Sequence, residues 1–396
     1  MNVHARPIDG AARKPILTDR SVDMNGRALT IDAARGCAML LVCFSHFGIT
    51  YFAPVGALTH AYFVMYLALP ATAMFIMLSG LTLGFLRQSS AERFNQQRLK
   101  FVDRGLFLLL PAHFIILAAH NWVGLSIGPD THWLFITDAI GVCLVLGPFL
   151  VAGASSGARV AIGVALITFS WGLYFGWSPV AHFAQLCKAI LVGEWSKGAV
   201  FALVPWLGAF LIATSIGEQF ALRRREDRLR FLGGMAVSCL LIGAIAHLLS
   251  HGQSGWLSHV LSAGQKYPPS PAHIVASFGV GLAMLAVLEI ASELRVARGA
   301  LLAAAVLGRS SLFVFILQYY VYYVAFFLLK LPMSELWPLY YSGSIVLLYV
   351  AARLWELKCG NVYFTVGLKS RAFARVPIFQ RLAKTRRRRL STQGSS

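Results

Sequence analysis

The chain has 396 residues, of which 57% are hydrophobic and 13% charged, with a formal net charge of +19. Its mean hydropathy is +0.66, whereas an ordinary soluble domain carries about 25% charged residues. That much apolar surface cannot be hidden in one water-soluble globule, so lipid is its natural solvent.

Hydrocarbon offers no water to stray backbone groups, which restricts spanning segments to helices or a closed barrel. Runs such as 36–53 and 64–86 are near-continuously apolar and lack the period-two alternation of barrel strands. An all-α polytopic membrane bundle follows.

Residues 1–27 are polar and lack an apolar core, so they read as a cytoplasmic segment and not as a cleaved signal peptide. A transmembrane domain is expected over 28–357. It holds ten apolar spans near 36–53, 64–86, 105–122, 136–152, 160–177, 199–217, 231–249, 272–291, 308–329 and 338–355. Each is about long enough to cross a bilayer. Residues 358–396 form a basic cytoplasmic tail.

The cations alternate with the spans. The N-terminal segment, every second connection and the tail hold 31 of the 35 Lys and Arg residues, leaving only Lys188, Lys197, Lys266 and Lys330 on the other side. The positive-inside rule produces such a split and sets both termini in the cytoplasm, here of a cell with a bacterial inner membrane. The Arg386–Arg389 run fits anionic headgroups. The bilayer is therefore the expected partner, and nucleic acid is not.

Cys37, Cys43, Cys143, Cys187, Cys239 and Cys359 show no metal-ligand spacing and read as packing residues. His247 and His251 have i, i+4 spacing at a span end, a weak signal, and no metal is expected. Glycine-rich nucleotide signatures are absent as well. A nucleotide-bearing ligand would have to use membrane helices and their loops.

Ionisable groups within apolar spans are costly and call for a reason. The first span carries Asp32, Arg35 and His46. Arg35 and His46 are eleven positions apart, so they share a face and stand about 16 Å apart along the axis. Asp32 and Arg35 can pair at the basic mouth. One reading makes these groups a helix start and a satisfied bundle histidine; the other makes them a functional stripe.

The order of motifs resembles the transmembrane acyltransferases, meaning the acyltransferase-three and heparan-α-glucosaminide N-acetyltransferase-like proteins. The resemblance is carried by Ile31-Asp32-Ala-Ala-Arg35-Gly36 with His46, by Phe75-Ile-Met-Leu78-Ser79-Gly80, and by the basic run Arg93, Arg98, Lys100, Arg104 leading to Leu110-Pro111-Ala112-His113. Later segments are similar to the glucosaminide branch: His120-Asn121, Val204-Pro205-Trp206-Leu207-Gly208, Lys266-Tyr267-Pro268-Pro269-Ser270 and Leu307-Gly308-Arg309-Ser310-Ser311. It extends over about 27–329. One departure stands out: Leu317-Gln318 occupies the place of an expected Leu-His, and Gln cannot titrate.

The resemblance implies transfer of an acyl group, commonly acetyl, from cytoplasmic acetyl-CoA. The acceptor would be a hydroxyl or amine of a glycan or lipid-linked saccharide near the far face. Acetyl-CoA would be a co-substrate, with no tightly bound cofactor. His46 would be the catalytic base or a transient acyl carrier, with Arg35 and Asp32 beside it.

Arg98, Lys100, Arg104 and Arg309 would meet CoA phosphates, or serve only as topology anchors. His120, Asn121, Lys266, Tyr267 and Gln318 would shape the acceptor side, or serve structure alone. Two other classes compete. A transporter or flippase lacks support from any internal repeat, and an inactive glycan-export member is disfavoured by His46 and weakly favoured by Gln318.

Reporter fusions check the topology. Those at Gly128 and Ser262 should read as extracytoplasmic and one at Arg225 as cytoplasmic. A cytoplasmic signal at Gly128 breaks the alternation.

Overall fold

Backbone groups that cannot turn to water must bond along their own segment, and the chain obliges with helices almost throughout. The computed structural model describes residues 28–52, 58–122, 134–193, 201–329 and 335–368. The segment 1–27, the tail beyond 368 with Arg386–Arg389, Lys197, Lys330 and the Asn121 side chain lie outside the described residues.

In chain order the helices are α1 (Leu29–Phe52), α2 (Leu58–Leu67), α3 (Ala71–Ser89), α4 (Ala91–Phe107), α5 (His113–Trp122), α6 (Ile136–Gly153), α7 (Ser156–Gly176) and α8 (His182–Val192). They continue as α9 (Leu203–Leu222), α10 (Arg225–Ser250), α11 (Trp256–Leu261), α12 (Pro271–Ala291), α13 (Arg298–Arg309), α14 (Ser311–Tyr319), α15 (Phe326–Leu329) and α16 (Trp337–Leu357). π-helical turns join α4 to α5 and α14 to α15. The first contains Pro111, which has no N–H for a regular helical bond. An isolated β-bridge joins Lys266 and Pro269.

Eight helices among the described residues are long and apolar enough to span a bilayer, and the bent pair α13–α14 makes nine. α16 has 21 residues, about 31 Å of length, but its tyrosines and serines make it less apolar than the rest. The protein is a multi-pass membrane protein.

Two spans differ from expectation. The third was expected to start at 105 after a basic loop, yet helix begins at Ala91, with the Ser90 hydroxyl accepting from the Arg93 N–H at 3.2 Å. The ninth was expected over 308–329 with Arg309 at its start, but helix already runs through α13 to Arg309 and the chain then turns by 74° into α14.

α9 forms the centre, with 72% of its apolar stretch buried against 17% for α10, which faces outward through Ile242, Ile245 and Leu248. It packs against α3, α6 and α7. α1 lies along α13 at a crossing that tolerates no side chain. A Cβ on Gly36 would strike the Ala304 carbonyl, and one on Gly308 would strike that of Asp32. Close backbone approach through small residues is how membrane helices gain contact when water gives no drive.

Buried ion pairs tie the helix ends that the sequence assigns to the basic side. Glu218 of α9 meets Arg87 at 3.1 Å and Arg159 at 2.6 Å. Glu289 of α12 accepts from Thr30 at 2.8 Å and pairs with Arg228 at 3.3 Å. Losing one member of such a pair typically costs about 3–5 kcal/mol, because a charge is left buried alone. Residues after α16 fold back over the same end. Asp103 accepts from the N–H groups of Val366 and Leu368 and from the Thr365 hydroxyl, and the Asn361 amide donates to the Arg309 carbonyl at 3.3 Å.

Candidate functional site

Asp32, Arg35, Met39 and Val42 recur along α1 at steps of three and four, which keeps them on one stripe. That stripe lines a cavity of about 450 Å³, within the usual size range of small-ligand pockets. Its other walls come from α3 (Ser79, Thr82), α4 (Arg93, Gln97, Phe101, Arg104), α6 (Thr137, Ile140), α13–α14 (Arg309, Phe315) and Asn361. Four arginines face one aspartate across this space. Its charged end is strongly anion-attracting, and its depth is apolar.

Two of these cations are held by named partners. The Arg35 guanidinium lies 3.6 Å from Asp32 and donates to the Thr82 hydroxyl at 2.7 Å. Arg309 pairs with Glu356 at 2.5 Å, which itself also meets Arg353. Fixed guanidinium groups bind phosphate oxygens with less ordering cost than free side chains.

His46 is the next step of the same stripe, one helical turn or about 6 Å beyond Val42. Its ring lies deep in the bundle and is half-buried. Nδ1 is 2.7 Å from Oε1 of Gln318. The ring packs against Tyr319, Tyr323 and Phe315, with centroids 4.9, 5.6 and 6.4 Å away. Phe315 also lines the cavity, so the imidazole stands just behind its inner end.

The sequence-derived residues fall into two groups around these features. Asp32, Arg35, Arg104 and Arg309 line the cavity. Gln318 and His120 surround His46, with the His120 ring 5.0 Å from Tyr319 and 4.9 Å from Tyr323. Lys266 and Tyr267 sit together, the Lys266 ammonium 5.1 Å from the Tyr267 ring centroid, and the Tyr267 ring packs on Phe201 at 5.3 Å.

Arg98 and Lys100 do not join either group. Arg98 stacks over Phe149 at 5.7 Å, Lys100 is exposed, and neither lines the cavity. The Asn121 side chain lies outside the described residues.

Several residues at the site escaped the sequence reading. Arg93 was noted only as part of a motif, yet Arg93, Gln97, Phe101 and Arg104 share one face of α4. Thr137 is buried at 3% exposure, lines the cavity, and its hydroxyl has no hydrogen-bond partner among the described residues. A threonine in the first turn of α6 gave a faint signal. The His113 ring pairs with buried Asp138 at 3.0 Å, and both His113 and His120 pack on Phe135. The 25-residue gap between the partners hid that pair.

A guanidinium-lined cavity leading to an imidazole inside an apolar bundle fits a membrane enzyme that takes an anionic co-substrate from one side. Residues 27–261 match the family described as Heparan-alpha-glucosaminide N-acetyltransferase, catalytic. The chain belongs to this family of membrane acetyltransferases. No curated protein matches it. The family match ends after α11, so Arg309, Gln318 and the folded-back segment lie beyond it.

The two sets of cations on α4 can be separated by experiment. Replacing Arg93 and Arg104 by Gln should weaken acetyl-CoA binding by about tenfold or more per lost contact. The Arg98→Gln, Lys100→Gln pair should bind as wild type. Calorimetry on purified protein reads both, and the reverse pattern contradicts the cavity assignment.

Proposed function

We propose that this protein transfers an acetyl group from acetyl-CoA, entering at the basic cytoplasmic end, to an acceptor at the extracytoplasmic face of a bacterial inner membrane. The acceptor is a hydroxyl or amine of a glycan or lipid-linked saccharide. One observation carries the reading: a single stripe of α1 runs from the arginine-lined mouth of the cavity to His46 behind its inner end.

The parts have distinct tasks. Arg93, Arg104 and Arg309 meet the CoA phosphates, and Arg35, fixed by Asp32 and Thr82, hydrogen-bonds the amide-bearing arm. The thioester then reaches the apolar depth, where the Thr137 hydroxyl donates to its carbonyl oxygen. A donor aimed at an oxygen that gains charge stabilises the tetrahedral intermediate more than the substrate. On the far side, His120, Lys266 and Tyr267 with the stacked rings of Tyr319 and Tyr323 border the acceptor.

Nε2 of His46 takes the proton of the acceptor hydroxyl as its oxygen attacks the thioester carbon. The carbon–sulfur bond breaks, and the same nitrogen returns the proton to the departing thiolate. An acyl relay would use the same atom, with acetyl carried first on Nε2 and then passed to the acceptor.

Labelled acetyl-CoA and a saccharide acceptor panel test this directly. His46→Ala should insert and bind acetyl-CoA normally while transfer falls about 10²–10⁴-fold. His46→Gln should not rescue it, since an amide cannot take the proton. Transfer within a few-fold of wild type in a folded His46→Ala protein sinks the mechanism.

A further inference from the structure

Gln318 stands where the related pattern led one to expect a histidine, and the hydrogen bonds around it define what it does. Its side chain is fully buried on α14. Its Nε2 donates to the Phe315 carbonyl, one turn back on the same helix, at 3.1 Å. That carbonyl can only accept, so the amide must turn its NH₂ toward Phe315. The flipped amide would press two oxygens together. Oε1 is thereby directed at His46 Nδ1, 2.7 Å away.

An amide oxygen only accepts, so Nδ1 must carry the proton in this bond. Neutral imidazole has a single N–H, and Nε2 is then the nitrogen with the free lone pair. We infer that Gln318 is a positioning residue that fixes His46 in its Nδ1–H form and so makes Nε2 the reacting atom, an inference that rests on His46 being the transfer group. In water, imidazole prefers the opposite tautomer, so the contact reverses an intrinsic preference. The ring's rotation is limited as well, because Tyr319, Tyr323 and Phe315 enclose it.

Non-titrating chemistry is useful at this place. A second imidazole behind Nδ1 could take the Nδ1 proton from the imidazolium that forms, leaving a neutral ring too weakly acidic to protonate the thiolate. Gln318 holds the imidazolium by the same hydrogen bond and cannot remove its proton. The proton on Nε2 therefore stays available for the leaving thiolate. The bond joins α1 to α14 across 272 positions of sequence, so it also sets the depth of His46 against the cavity end formed by Phe315.

The test reads the tautomer and the rate separately. Protein labelled with ¹⁵N-histidine gives the protonation of each ring nitrogen, and His46 is assigned by the signal lost in His46→Gln. Wild type should show protonated Nδ1 and bare Nε2 at neutral pH. Gln318→Leu should lose that bias and transfer acetyl at least about tenfold more slowly, with acetyl-CoA affinity unchanged. Gln318→Glu supplies an acceptor for the same N–H and should recover both the tautomer and most of the rate.

A wild-type His46 protonated on Nε2 overturns the inference, as does a Gln318→Leu protein that transfers at the wild-type rate. If Gln318→Leu loses stability and donor binding while its tautomer is unmoved, the residue is structural and the inference fails. A wild type with the stated tautomer but no acyl transfer to any acceptor would instead remove the acyltransferase reading and leave the orientation of His46 standing.

Discussion

Asp32, Arg35 and His46 must leave water when α1 enters the bundle, and nothing in hydrocarbon can replace their lost hydration. Each therefore has to be met by a group from the protein. Arg35 is met by Asp32 on its own helix and by Thr82 of α3. His46 is met by Gln318 of α14. On the same helix, Gly36 meets α13 at a crossing where Gly308 lets the backbones touch. The site is thus a consequence of how one polar stripe is kept satisfied. The cavity lies where the stripe faces space instead of another helix.

The two ends of the bundle are built on different terms. At the basic end, paired carboxylates and arginines clamp α3, α7, α9, α10 and α12, and Asp103 pins the segment after α16. This rigid rim holds Arg93, Arg104 and Arg309 apart around one mouth. Towards the other end, aromatic rings replace ion pairs around His46 and His120. On the proposed function, the cations would collect and orient an anionic donor at the rim, and the aromatic interior would favour proton and acyl transfer free of competing water.

Much of this was legible in the sequence. The all-helical class followed from unbroken apolar runs, and the stripe from Arg35 to His46 followed from an eleven-residue spacing alone. The α4 cations were read less well because 93–104 was taken as a loop. As a helix, its face through Arg93, Gln97 and Arg104 excludes Arg98 and Lys100. The bend between α13 and α14 left no proline to signal it. Pairings across 25 and 272 positions, His113 with Asp138 and His46 with Gln318, belong to tertiary structure, and no periodicity encodes them. The substitution of Gln for an expected histidine was visible at once, but its meaning depended on the Phe315 carbonyl that turns its amide.

The central claim is that one continuous path joins the arginine-lined mouth to Nε2 of His46. A structure of the protein in lipid with an acetyl-CoA analogue whose thioester sulfur is replaced by methylene tests it most directly. The account predicts phosphates against Arg93, Arg104 and Arg309, the arm along Arg35, Met39 and Val42, and the ketone carbonyl beside Thr137 and His46. Phosphates bound on the Arg98 and Lys100 face, or an acyl end remote from His46, would contradict it.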